Sequence, residues 1–119
     1  MLRGACHCGK VRFEYCVTPE YLYNCNCSIC RRLGALWAYA DSSQIKIHCD
    51  QNDLINYVWG DKTLAFCSCK SCGCTTHWKN LDPKKYSRMA VNARMMDPTA
   101  IKEIPVRQFD GADTYKFLD

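Results

Sequence analysis

The sequence lacks any run of about 18 apolar residues, so nothing in it reads as a membrane span. Its first residues, Met1-Leu2-Arg3-Gly4-Ala5-Cys6, have no apolar stretch long enough for a signal peptide, and a cytoplasmic protein is expected. No glycine-rich phosphate loop occurs, which argues against a nucleotide cofactor. Basic residues never run longer than Arg31-Arg32 or Lys84-Lys85, and no low-complexity tract or long repeat is found. Helical periodicity is weak throughout. These absences leave a single globular unit, residues 1–119, in which roughly two thirds of the unfolded surface can be buried.

Cysteine, by contrast, is abundant, with 11 in 119 residues. An odd number cannot pair fully, disulfides are rare in a reducing compartment, and C-x-x-C spacings there point to metal or redox sites. Three clusters stand out: Cys6-His7-Cys8-Gly9, Cys25-Asn26-Cys27-Ser28-Ile29-Cys30 and Cys69-Lys70-Ser71-Cys72-Gly73. In the first and third, a glycine follows the second cysteine, where a tight turn around a metal needs a left-handed residue. That shared feature favours one zinc on Cys6, Cys8, Cys69 and Cys72, although Cys67 or Cys74 could substitute within the third cluster. Such a site fastens the N-terminus to the middle of the chain and reads as structural. The remaining cysteines, Cys16, Cys49, Cys67 and Cys74, read as small buried or partly buried residues.

The middle cluster can place three sulfurs, from Cys25, Cys27 and Cys30, around a second zinc. Its fourth position is either open or closed by a histidine, with His7, His48 and His77 as the candidates. A zinc with three thiolates and an open position suits a soft visitor, a thiol, whose pKa it lowers for attack on a small electrophile such as an aldehyde. The formal net charge of +4 falls to about +1 once seven thiolates and two zinc ions are counted, because each metal-bound thiol loses its proton. A nucleic-acid partner is therefore disfavoured.

Mostly β structure is predicted. Strands are expected at Val11–Tyr15, Leu36–Ala40, Ile45–His48, Leu54–Trp59, Thr63–Phe66, Thr75–Trp78 and Met89–Ala93. Gly60-Asp61 should supply the positive dihedrals of the hairpin turn between the fourth and fifth of these. One helical turn, capped by Asn26 or Ser28 and ended by Gly34, follows the middle cluster.

The chain resembles the glutathione-dependent formaldehyde-activating enzyme family, which includes centromere protein V-like proteins. The resemblance covers nearly the whole chain and is carried by Gly4-Ala5-Cys6-His7-Cys8-Gly9-Lys10-Val11, by Cys25 to Gly34, by Cys69 to Gly73, and more weakly by Val91-Asn92-Ala93-Arg94. It implies a β-tent fold of small antiparallel sheets stapled by zinc, with little helix. It also implies two zincs per chain: a structural one on Cys6, Cys8, Cys69 and Cys72, and a catalytic one on Cys25, Cys27 and Cys30. The implied reaction is condensation of glutathione with formaldehyde, classed in reverse as a carbon-sulfur lyase. Arg31 and Arg32 stand as candidates to hold a glutathione carboxylate, and Trp37 and Tyr39 as pocket walls.

Two other functions compete. A non-catalytic zinc module would bind a protein or nucleic-acid partner, and a thiol-redox or metal-buffer protein would use the leftover cysteines. The latter ranks last, since redox C-x-x-C pairs usually open a helix in a βαβ unit.

Overall fold

A computed structural model describes all of residues 1–119. The chain is mainly β, with ten short strands and two short helices. A three-stranded antiparallel sheet is ordered β1 (Leu2–Ala5), β2 (Arg12–Tyr15), β5 (Ile45–His48). The larger sheet, of seven strands, places β3 (Leu22–Cys25), β4 (Trp37–Asp41), β9 (Arg88–Asn92), β8 (Thr75–Asn80), β7 (Leu64–Cys69) and β6 (Leu54–Val58) side by side, all antiparallel. Its remaining edge strand, β10 (Val106–Phe109), pairs in parallel with β3. That pair departs from the all-antiparallel expectation. Parallel strands need a crossover rather than a tight turn, and here most of the chain separates the two.

Alternation along β4 and β9 gives the sheet two apolar faces. Ala38, Met89 and Val91 join Phe13, Tyr15 and Ile45 of the small sheet in the main core. Trp37 and Ala90, one residue out of phase, join Cys25, Cys30, Ala35 and Phe66 in a second cluster. One face of the large sheet thus builds the body of the protein and the other builds the floor of a site. Gly4 matters to the first: a Cβ there would overlap the Phe13 ring, so only glycine lets that ring lie against β1.

Two local expectations are corrected. Helix α1 (Ser28–Leu33) is capped by neither Asn26 nor Ser28 but by Cys27, whose Sγ accepts the Cys30 amide at 3.4 Å. A sulfur does here what a Ser or Asp oxygen usually does. Gly34 ends the helix at φ 65°, as its sequence suggests. In the β6–β7 hairpin the positive dihedrals fall on Gly60 (φ 65°) and Lys62 (φ 60°), not on Asp61. Asp61 instead accepts the amide and hydroxyl of Thr63 at 3.3 and 2.9 Å, an interaction that fixes a longer turn.

Asn92 explains the weakest of the four sequence motifs. Almost fully buried, its side chain accepts the amides of Leu36 and Arg94 at 3.2 and 3.1 Å and donates to the Thr75 carbonyl at 2.9 Å. Arg94 in turn donates from Nε to the carbonyl of Gly34. The motif is a clip that ties β8, β9 and the end of α1 together.

Candidate metal centres and the adjoining cavity

The first cysteine centre forms where two similar knuckles meet, one between β1 and β2, the other between β7 and β8. Gly9 (φ 83°) and Gly73 (φ 79°) both take the left-handed conformation that the sequence predicts for them. Each knuckle is closed by the same kind of bond: Gly9 donates to the Cys6 carbonyl at 3.0 Å, and Gly73 to that of Cys69 at 2.8 Å. Lys10 Nζ donates to Ser71 Oγ at 2.9 Å across the junction. The result gathers the sulfurs of Cys6, Cys8, Cys69 and Cys72 within 4.8 Å of one another. Cys67 and Cys74 are not in this group.

The spacing suits a closed tetrahedral ion. Zinc–sulfur bonds of about 2.3 Å put the sulfurs of a tetrahedron about 3.8 Å apart, and Cys6 and Cys69 lie 3.7 and 3.5 Å from Cys8. The backbone also favours thiolate. Val11 donates its amide to Cys6 Sγ at 3.3 Å, and the amides of Cys74 and Cys8 draw the Cys72 thiol down to about 5.

The second centre brings together Cys25 at the end of β3 and Cys27 and Cys30 at the start of α1, again with all sulfurs within 4.8 Å. None of His7, His48 or His77 belongs to it. His48 is engaged with Glu14 at 3.2 Å, and His77 is buried beside Thr76, with its Nδ1 2.8 Å from the Thr76 hydroxyl. The Cys25 thiol is drawn down to about 6, chiefly by the hydrogen bond from Cys30 and further by the amides of Cys27 and Gly111, against the opposing effect of burial. Cys30 is raised correspondingly, by donating to Cys25 and by burial, while the Trp37 indole N–H, 3.3 Å from its sulfur, works in the other direction. Either centre could hold a metal ion.

A cavity of about 700 Å³ opens over the second centre, and Cys25, Cys27 and Cys30 all line it. None of Cys6, Cys8, Cys69 and Cys72 lines it. The walls are largely aromatic. Trp37 and Tyr39 are among them, as the sequence suggests, joined by Trp59 of the β6–β7 connection, Trp78 of β8 and Tyr115 near the C-terminus. A second cavity, of about 460 Å³, lies against the small sheet beside Arg3, Arg12 and His48 and contains no cysteine.

The model of the glutathione-dependent formaldehyde-activating enzyme family matches residues 1–109. The chain belongs to that family. Its similarity to a curated relative is narrower: 39% identity over 54 residues with a "Putative glutathione-dependent formaldehyde-activating enzyme" of Halomonas elongata, covering 40% of this chain and 34% of that protein. The chain therefore matches about a third of the length of that relative. In three dimensions it is similar to a crystal structure of a Rhodobacter sphaeroides protein, with a TM-score of 0.70 and 30% identity over 88% of this chain and 99% of the other.

The two arginines and the four remaining cysteines that the sequence singles out lie outside the lining of this cavity. Arg31 and Arg32 lie on α1 but do not line the cavity; both are exposed, and Arg32 turns back to donate to the Ser28 carbonyl of its own helix at 2.7 Å. The cation that does line it is Arg88. Among the four cysteines outside the centres, Cys67 is buried and Cys49 and Cys74 are half-buried, as expected, whereas Cys16 is exposed.

The C-terminal segment is the part that sequence reasoning missed. Asn26, between two cysteines of the second centre, donates its amide N–H to the Phe109 carbonyl at 3.1 Å and its side-chain Nδ2 to Asp110 Oδ1 at 3.0 Å. Its side-chain oxygen accepts the Ala112 amide at 3.0 Å. Asp110 also accepts from the amide and hydroxyl of Thr114 at 3.1 and 2.8 Å. These bonds seat Gly111 directly on the sulfur of Cys25. The only local hint in the sequence is an Asp-Gly pair in an unremarkable context.

Proposed function

We propose that this chain is a zinc-dependent enzyme, carbon-sulfur lyase in class, that adds a thiol to formaldehyde or another small aldehyde, with glutathione as the leading thiol. The observation that carries the proposal is the contrast between the two cysteine centres. Four sulfurs close around one position, whereas three sulfurs, with no fourth ligating side chain, floor an aromatic cavity. On this reading Cys6, Cys8, Cys69 and Cys72 hold a structural zinc, and Cys25, Cys27 and Cys30 a catalytic one, in a single cytoplasmic domain spanning residues 1–119.

When bound at the three-cysteine centre, zinc supplies a Lewis acid that makes a visiting thiol a thiolate near neutral pH. The chain does the rest. The amides of Cys27 and Gly111 and the Trp37 indole keep negative charge on the cysteine sulfurs favourable. The aromatic walls offer the substrate an apolar surface beside the sulfurs. Asn26 and Asp110 hold the C-terminal loop against the centre and so fix its geometry.

An alternative reading, a zinc module that binds a protein, draws on the exposed side chains of Ile55 and Tyr57 on the edge strand β6. An assay separates the two. With glutathione and formaldehyde, the metal-loaded protein should accelerate adduct formation over the spontaneous rate, and Cys27→Ser should abolish that acceleration while leaving the fold intact. Absence of acceleration in the wild type favours the binding module, and global unfolding of Cys27→Ser would mark the middle centre as structural.

A further inference from the structure

Arg88 is the single basic side chain lining the cavity above Cys25, Cys27 and Cys30. Its guanidinium carbon stacks 4.1 Å from the centre of the Tyr39 ring and 6.0 Å from that of Tyr23, and its Nη2 donates to the Tyr23 hydroxyl at 3.4 Å. Those two rings meet edge to face, 4.4 Å apart, and make a corner in which the guanidinium is held. A guanidinium carries five N–H donors, and the Tyr23 hydroxyl takes only one of the five.

No carboxylate of the chain forms an ion pair with it. Asp41 is its partner across the β4–β9 ladder, yet the Asp41 carboxylate accepts the Ser43 amide at 2.9 Å instead. Asp61, the one acidic residue lining the cavity, is taken up by its own turn through Thr63. Both neighbouring carboxylates are thus engaged elsewhere, and the cation on the wall stays free. Tyr39 lines the same cavity as Cys25 and Cys30.

We infer that Arg88 is the specificity-determining anchor for a carboxylate of the substrate, so that the cavity selects thiols bearing a carboxylate over thiols without one. The inference rests on the thiol-addition reading and assigns to Arg88 the role that the sequence suggested for Arg31 and Arg32. Planar donors held by stacking suit a carboxylate, which accepts two of them at once. The aromatic surface around it leaves the substrate few other charged partners, so that one contact decides selectivity.

The test reads binding rather than turnover. The chain has three tryptophans, and Trp37, Trp59 and Trp78 all line the cavity, so intrinsic fluorescence reports on its occupancy. The probes are S-methylglutathione, whose sulfur is blocked, and its dimethyl ester, titrated into metal-loaded wild type, Arg88→Met and the double variant Arg31→Met/Arg32→Met. Arg88→Met keeps an unbranched apolar stem against Tyr39 and removes the charge. Wild type and the double variant should bind the acid about tenfold or more tightly than the ester, the strength of a charge-assisted hydrogen bond, and Arg88→Met should bind the two equally with ester affinity unchanged. Equal or absent binding of both probes by the wild type overturns the inference, as does an acid preference that survives Arg88→Met. A preference that follows Arg88 in a protein that fails to accelerate the formaldehyde reaction would sink the reaction and leave the anchor standing.

Discussion

Gly111 lies so close to Cys25 that a methyl group on its α-carbon would sit 2.5 Å from the cysteine sulfur. The two residues are far apart in the chain, and they meet because Asn26 and Asp110 lock the C-terminal loop onto the end of β3. A glycine is needed here for approach, not for an unusual dihedral.

Gly111→Ala should therefore injure the three-cysteine centre selectively. Added bulk against a sulfur cannot be absorbed by a flexible side chain, so Cys25 or the loop must move. The expected result is loss of metal from that centre, with the four-sulfur centre and the unfolding midpoint little changed. Metal per chain and a thermal melt, measured on the same sample, check this.

Replacement of Cys69 by serine should do the opposite. Apparent zinc-binding energies of about 10 to 16 kcal/mol in small modules are comparable to the stability of a whole domain, about 5 to 15 kcal/mol. Removing one ligand from the centre that ties β1–β2 to β7–β8 should cost several kcal/mol, at least about 3, and leave little cooperative unfolding. A near-UV circular dichroism melt checks it, and a wild-type transition would deny the centre its structural role.

Asn92→Asp tests the clip between β8 and β9. The variant keeps the acceptor for Leu36 and Arg94 but cannot donate to the Thr75 carbonyl, and it buries a carboxylate against that oxygen. A destabilisation of roughly 2 kcal/mol or more in urea unfolding is expected from the lost donor and the buried charge.

His77 sets an acid limb to stability. Burial lowers its pKa from 6.5 to about 4. Above about pH 6.5 both folded and unfolded chains leave it neutral, and it contributes no pH dependence. As the pH falls from 6.5 toward 4 the unfolded chain takes up a proton that the folded chain refuses, so stability drops by up to about 1.4 kcal/mol per pH unit. His77→Gln at matched metal content should flatten the curve in that window by up to one proton. An unchanged slope would mean that His77 does not set the acid limb.

How far the sequence could be read depends on the range of the interactions involved. Glycine after the second cysteine of each knuckle is a local signal, and Gly9 and Gly73 take the left-handed conformation it implies. Alternation located β2, and β-rich runs located β4, β5, β6, β8 and β9, each to within a residue or two. The capping of α1 by Cys27 was not legible, because a sulfur is an unusual cap and Asn26 and Ser28 are better ones by habit. Asn26 is instead committed to the C-terminal loop. Strands β1 (Leu-Arg-Gly-Ala) and β10 (Val-Arg-Gln-Phe) do not alternate apolar and polar side chains, and β10 gains its place by pairing with β3. Adjacency in sequence also misled for Arg31 and Arg32: they follow Cys30 directly, yet a helix turns successive side chains to different faces, and Arg88 reaches the cavity from another strand.

The central claim is that one cysteine centre is closed and the other open. Zinc per chain, measured on gently purified, metal-supplemented protein before and after brief exposure to a mild chelator, tests it most directly. The account predicts two zincs falling to one with circular dichroism unchanged, the retained ion being the one lost in Cys69→Ser. A single zinc at the outset, or two that resist the chelator equally, would contradict it.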